Sequence, residues 1–174
     1  MTTVPTDRPL RLLFVCTGNS ARSQIAQAVL NRKAGGRFLA DSAGSQPASR
    51  VHPLAIEALE AHGIPFSGRA PRGIEAAMSE PWDFIITVCD RARESCPVFP
   101  GQPVLAHWGM PDPAEVFGTE QERRKAFDDT LVLISRRLDL LLALPVGKLE
   151  RLVLQQRVNE IGGAGAAPFA MHAV

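Results

Sequence analysis

The stretch C16-T-G-N-S-A-R-S23 follows the apolar run Leu12–Val15 and sets how the whole chain reads. A short apolar segment bounded by Pro9 and Gly18 suits a buried parallel strand over Arg11–Val15. From Ser20 onward, Ile25, Ala26, Ala28 and Val29 form a helical stripe that ends at Gly35-Gly36. Between strand and helix lies a tight loop. Its backbone N–H groups turn inward, and the helix N-terminus adds partial positive charge. Gly18 permits close approach of an anion, Asn19 can hold the loop through its side chain, and Arg22 offers a planar fork to two oxygens. Thr17, Gly18, Asn19, Ser20, Ala21, Arg22 and Ser23 are therefore the candidate oxyanion-binding residues, with Cys16 as the nucleophile aimed at the centre of the anion. Such surroundings are expected to lower the Cys16 pKa. A shift from ~8.5 to ~6 raises the thiolate fraction at neutral pH from about 3% to about 90%, an advantage partly cancelled by weaker intrinsic nucleophilicity. Ser23 is placed to hydrogen-bond the sulfur. The Gly-Lys-Ser/Thr ending of a nucleotide-binding P-loop is missing.

Working outward, Phe38–Ser42 reads as a second strand and Pro53 opens a helix that Gly63 stops. Trp82–Val88 is the strongest strand, and a shorter one is expected around Pro103–Ala106. A long helix over Thr119–Leu144 starts with a Thr119/Glu122 capping box and stops at Pro145. This alternation argues a single α/β domain over residues 11–145, a four-stranded parallel sheet flanked by helices. Cys16 and Cys89 each follow a strand, so both belong to the carboxyl edge where such sheets bind ligands. Residues 1–10 read as a disordered lead-in, and 146–174 as a helical extension with a flexible tail. Within that extension Leu149, Leu152, Val153, Leu154, Val158 and Ile161 permit an amphipathic helix, before Gly162-Gly163 dissolves it.

At 174 residues and 45% hydrophobic content, the chain has the size and make-up of one globular domain. A net charge of +1 gives no electrostatic case for nucleic acid or an acidic membrane. No apolar stretch reaches the ~18 residues of a spanning helix, and MTTVPTDRPL lacks the apolar core of a signal peptide. A cytoplasmic location is expected, where three cysteines, Cys16, Cys89 and Cys96, suit catalysis better than a disulfide framework. If the first and third strands are neighbours, a spacing of ~4.8 Å brings Cys89 near Cys16, and Arg91 and Arg93 would favour its thiolate. If residues 90–95 are helical, seven rises of ~1.5 Å part the α-carbons of Cys89 and Cys96 by ~10 Å. A disulfide needs roughly 4.4–6.8 Å, so that bond requires the segment to unwind. A zinc site from Cys16, Cys89, Cys96 and His107 is the competing chemistry. It lacks a C-x2-C pair and would consume the nucleophile, so no metal is expected.

The CTGNSARS loop resembles the Cys-x5-Arg-Ser loop of the low-molecular-weight protein tyrosine phosphatase superfamily, over roughly Arg11–Leu144. Cys89-Asp90…Cys96-Pro97, followed by H107-W-G-M-P-D-P-A114, is similar to the thioredoxin-coupled arsenate reductases within it. In the phosphatases an aromatic residue usually follows the Asp-Pro; Ala114 stands there, and the chain has no tyrosine. The resemblance implies a relay. Cys16 attacks arsenate held by the loop and Arg22, Asp112 protonates the departing oxygen, Cys89 then attacks Cys16, and Cys96 attacks Cys89. Thioredoxin reduces the final Cys89–Cys96 disulfide, and no bound cofactor is needed. Asp112, between Pro111 and Pro113, is restricted in its backbone, and beside an anion it should hold its proton longer. Hydrolysis of phosphate monoesters through a Cys16 phospho-enzyme is the alternative, and a non-catalytic oxyanion-binding module is a third reading. Many related reductases carry a further cysteine where Ala21 stands. Some also bind potassium beneath the loop through Asn19, Ser42 and two carboxylates. Here Gln27 and Arg72 take the carboxylate positions, which argues against a cation and offers the Arg72 guanidinium in its place. His52 and His62 read as capping or surface residues, His107 as a support for the Asp112 loop, and Arg123-Arg124-Lys125 as a solvated helix face.

Overall fold

The apolar run that ends at Cys16 is paired on both sides. In the computed structural model, which describes residues 3–164, β1 (Leu10–Cys16) lies between β2 (Phe38–Gly44) and β3 (Phe84–Thr87), and β4 (Val104–His107) forms the far edge. All pairings are parallel, in the order β2-β1-β3-β4. Leu12, Leu13, Phe14 and Val15 on β1 and Phe84, Ile85 and Ile86 on β3 are all essentially inaccessible. This explains why the two central strands read as continuous apolar runs instead of alternating. Strand order reverses about β1, so the crevice between the carboxyl ends of β1 and β3 is the topological switch point.

Among the described residues, six helices flank the sheet: α1 (Arg22–Lys33), α2 (Pro53–Ala61), α3 (Ile74–Ala77), α4 (Asp90–Ser95), α5 (Glu120–Ala143) and α6 (Arg151–Ala164). The expected capping box is formed. The Thr119 N–H donates to Glu122 Oε2 at 2.8 Å, and Thr119 Oγ1 accepts from the Glu122 N–H at 3.2 Å. Pro53 occupies the first turn of α2, and His52 caps it by accepting from the Leu54 N–H at 3.1 Å. The short helix α3 was not anticipated. No helix among the described residues is long and apolar enough to cross a membrane.

Two expectations change at the ends. Residues 3–9, expected to be a disordered lead-in, have no regular structure, yet Val4 is buried and Arg8 makes a two-pronged contact with Asp83 at 2.7 and 2.9 Å. An apolar anchor and an ion pair separated by 75 positions leave no local signal. The extension helix α6 does not end at Gly162-Gly163 but continues to Ala164. Gly162 is there for close packing: a Cβ at that position would collide with the His107 carbonyl oxygen. Leu154, Val158 and Ile161 are the buried face of α6, whereas Leu152 and Val153 are exposed. Gln155 and Asn159 accept hydrogen bonds from the Leu105 and His107 N–H groups at 3.2 and 3.0 Å, so α6 covers the free edge of β4. The flexible tail expected after residue 164 lies outside the described residues.

Candidate active site

The loop between β1 and α1 is anchored through its backbone. Its carbonyls are consumed from outside: the N–H groups of Ser45, Gln46, Ala48 and His52 donate to the carbonyls of Cys16, Thr17, Gly18 and Ser20 at 2.8–3.1 Å. Because each peptide is planar and trans, fixing the carbonyls on that side turns the N–H groups the other way. Helix α1 begins at Arg22, two residues later than expected, and Ala21 supplies no side-chain cap. The first-turn N–H groups are therefore left for a ligand. Gly44, paired with Cys16 across the sheet, is essential to this fit, since a Cβ there would strike the Thr17 carbonyl. Its role, and that of residues 45–52, could not be read locally.

Asn19 holds the loop. It is fully buried with φ of 49°, a left-handed conformation that asparagine tolerates better than most residues. Its backbone N–H donates to Cys16 Sγ at 3.1 Å, and its Nδ2 donates to Ser23 Oγ at 2.9 Å and Ser42 Oγ at 2.8 Å. Because Ser23 Oγ accepts from Asn19, its own proton is free for Cys16 Sγ, 2.8 Å away. The expected interaction is thus present, but the expected thiol pKa is not. Burial pushes the Cys16 thiol up, outweighing the hydrogen bonds from Ser23, the charge of Arg22 and the Asn19 N–H, which pull it down. Removal from water disfavours the thiolate more than this donor set favours it.

Arg22, almost buried, donates from Nη1 to the Met110 carbonyl at 3.1 Å and places Nη2 3.3 Å from Asp112 Oδ2. Asp112 caps a single 3-10 turn, Pro113–Glu115, accepting from the Ala114 N–H at 3.0 Å. Cys16, Arg22, Cys89 and Asp112 line one cavity of about 380 Å³, together with Thr17, Gly18, Ser20 and Ala21. Sequence positions almost 100 residues apart therefore meet where expected.

Cys89 stands at the start of α4, just beyond β3, and Cys96 at its end. Cys89 Sγ lies 3.3 Å from Thr17 Oγ1 and accepts from the Ala92 N–H at 3.4 Å. All three cysteines are free. Since residues 90–95 are helical, the ~10 Å separation of the Cys89 and Cys96 α-carbons applies and a disulfide between them requires α4 to unwind. Cys96 is half-buried, and burial pushes its thiol up as well.

His107 lies apart from the loop, bridging Thr87 Oγ1 through Nδ1 and Asp90 Oδ1 through Nε2, each at 2.8 Å. It steadies the start of α4 rather than joining the cysteines. No group of three or more His, Cys, Asp or Glu side chains that could hold a metal is gathered among the described residues. Beneath the loop, the residues present do not fit a monovalent cation. The Arg72 guanidinium already lies there, donating to the Ser42 carbonyl at 3.2 Å, Asp41 Oδ2 at 2.9 Å and Glu80 Oε1 at 2.7 Å. The Arg72 N–H also donates to Asn19 Oδ1 at 3.0 Å, and Gln27 is occupied by Ser42 Oγ at 2.6 Å.

A parallel α/β sheet carrying a Cys-x5-Arg-Ser loop at the end of its first strand, with a thiol and an arginine facing one cavity, defines a class of oxyanion-handling proteins. Within that class, residues 11–153 match the family of low molecular weight phosphotyrosine protein phosphatases, and the chain belongs to that family. It is 34% identical over 127 residues to an arsenate reductase of Bacillus subtilis, covering 73% of this chain and 91% of that one. An arsenate reductase of Halalkalibacterium halodurans is 34% identical over 116 residues, covering 67% of this chain and 83% of the relative. Among solved structures, a thioredoxin-dependent arsenate reductase of Corynebacterium glutamicum superposes with a TM-score of 0.56 at 31% identity, over 78% of this chain and 65% of that one. An arsenate reductase in its oxidized state gives 0.65 at 28%, over 76% of this chain and 96% of the other.

Proposed function

We propose that this protein reduces arsenate to arsenite in a reducing cytoplasm, through a thiol–disulfide relay of Cys16, Cys89 and Cys96 that thioredoxin regenerates. The observation that carries the reading is the placement of the second and third thiols. Cys89 shares the oxyanion cavity with Cys16, and Cys96 sits half-buried at the far end of a short helix. A hydrolase has no use for that pair. The related arsenate reductases of Bacillus subtilis and Halalkalibacterium halodurans support the same reading, and the thioredoxin dependence of the Corynebacterium protein supplies the class of reductant.

The chemistry follows from the geometry. Arsenate enters the loop with its oxygens on the N–H groups of 17–23 and on Arg22. Cys16 sulfur bonds to arsenic and one oxygen leaves as water, taking the thiol proton and a proton relayed by Asp112 as the substrate's charge requires. Burial pushes the Cys16 thiol up, while Ser23, Arg22 and the Asn19 N–H pull it down and favour release of its proton to the departing oxygen. Cys89 thiolate then attacks Cys16 Sγ. The S–S bond forms, the S–As bond breaks, and its electron pair stays on arsenic, which leaves as arsenite. Next, Cys96 attacks Cys89 Sγ and releases Cys16 as α4 unwinds. A thioredoxin dithiol finally returns two electrons to the Cys89–Cys96 disulfide.

The test is arsenate-dependent NADPH consumption with thioredoxin and thioredoxin reductase. Cys16→Ser is expected to be inactive. Cys96→Ser is expected to form about one arsenite per enzyme and stall with a Cys16–Cys89 disulfide. Steady turnover by Cys96→Ser would sink the relay, and efficient phosphate monoester hydrolysis without arsenate turnover would favour the phosphatase reading.

A further inference from the structure

Arg137, on α5, is almost inaccessible, and no carboxylate pairs with it among the described residues. A buried guanidinium without a counter-ion is costly unless its donors are used. Here Nη1 donates to the Trp108 and Gly109 carbonyls, both at 3.2 Å, and Nη2 to the Gly162 carbonyl at 2.7 Å, while the buried Nε has no partner among the described residues. Gly162 lies in the last turn of α6, where carbonyls lack helical partners and the helix dipole is negative, so this end of α6 partly neutralises the charge. Trp108 and Gly109 are the root of the loop that carries Asp112. Two more contacts join α6 to that root: Trp108 Nε1 donates to the Val158 carbonyl at 2.8 Å, and Gly162 packs against His107 with no room for a Cβ.

The loop needs such a clamp. Behind it, between Met110–Pro113 and α5, lies a cavity of about 250 Å³ lined by Val116, Leu133 and Arg137, so this side of the loop is incompletely packed. In front, Met110 and Asp112 are held to the anion site by Arg22, a residue that a bound anion would engage. We propose that Arg137, braced by the carboxyl end of α6, is a positioning residue for Asp112, and that the C-terminal extension is in this way part of the catalytic apparatus. The proposal rests on the reductase reading for the identity of the substrate, but not for the mechanical link itself.

The experiment is a double-mutant cycle on the full chain, read together with hydrogen exchange. In folded Arg137→Met, amides of residues 109–116 are expected to exchange at least about tenfold faster than in the unaltered protein. Single-turnover arsenite formation at saturating arsenate should fall on the order of tenfold, as displacement of a positioned group predicts. The arsenate concentration at half-maximal rate should stay within about twofold, because Arg22 and the loop bind the anion. Arg137→Met should slow Asp112→Asn little further, since the two act as a unit. Gly162→Ala, which forces α6 away from His107, gives a second route should Arg137→Met fail to fold, and is expected to loosen the same amides. An unchanged exchange rate in either folded variant would falsify the clamp, and an equal slowing of Asp112→Asn by Arg137→Met would show that Arg137 does not act through Asp112. If the unaltered protein turns over no arsenate, the reductase reading fails on its own, and the cycle is read on p-nitrophenyl phosphate hydrolysis and on exchange.

Discussion

Ser23 is where the chemistry of a single hydroxyl can be isolated. It accepts from Asn19 and faces Cys16 sulfur at 2.8 Å, and it is one of the few groups pulling the buried thiol down. Ser23→Ala is therefore expected to move the Cys16 thiolate titration, followed by ultraviolet thiolate absorbance, further up in pH. Single-turnover arsenite formation should slow with it. A titration unchanged or moved down would mean that the hydroxyl does not donate to sulfur. The residues themselves were legible in the sequence because Cys16, Arg22 and Ser23 lie within one loop and their spacing reports local geometry. The direction of the Cys16 pKa was not. It depends on how much water the sheet and helices exclude, a quantity that no eight-residue window contains. Asn19 is an expected loop anchor, and its hydrogen bonds with Ser42 and Arg72 join segments distant in the chain.

Helices α4 and α5 place opposite demands on stability. α4 is six residues long, shorter than an isolated helix can sustain, and buries chiefly Ala92. So little holds this segment against unwinding. α5, at 24 residues, is a fixed wall, and its start is secured by the Thr119–Glu122 capping box. Thr119→Ala is expected to lower stability by about 1 kcal/mol, which for a chain of this size is a melting-temperature decrease of roughly 2–4 °C. Calorimetry checks it, and arsenate turnover at low temperature should not change, because this cap is far from the cysteines in function. Helix α5 and its cap were readable from the sequence because both are local patterns. The covering of β4 by Gln155 and Asn159 was not, since the pairing of a helix with a strand edge some 50 residues earlier leaves no periodic trace.

Across the molecule, buried and paired groups define a pH window for stability. Hydrogen bonding from Arg72, then from Arg11, holds the Glu80 carboxyl below the usual range despite burial. Burial works against the Asp83 carboxylate, but Arg8, the Arg11 N–H and the charge of Arg151 outweigh it and lower its pKa. These two groups contribute stability that is present above the unfolded-chain value near ~4 and is lost as pH falls through their folded values. Cys16 and Cys96 act on the other side. Their thiols are raised by burial, so their contribution is intact below the ordinary thiol value of ~8.5 and is lost as pH rises from there through their folded values. Urea midpoints measured across pH should therefore form a plateau that falls at both ends, and Cys16→Ser with Cys96→Ser should flatten the alkaline fall. An alkaline limb identical in that double variant would refute the assignment.

Local order was settled by the chain's own pattern: apolar runs made buried strands, and capping and glycine signals marked most helix ends. The spacing of one loop likewise marked Cys16–Ser23 as a candidate oxyanion site. The parallel order of β1 and β3, implied by that alternation, brought Cys89 to the same edge. The fold alone set the energetic character of the site. Whether Cys16 rests as thiol or thiolate, whether Arg72 replaces a cation, and whether the extension supports the Asp112 loop through Arg137 all turn on burial and on contacts between distant segments. Those are sums over the packed molecule, and a sequence read in local windows carries no record of them.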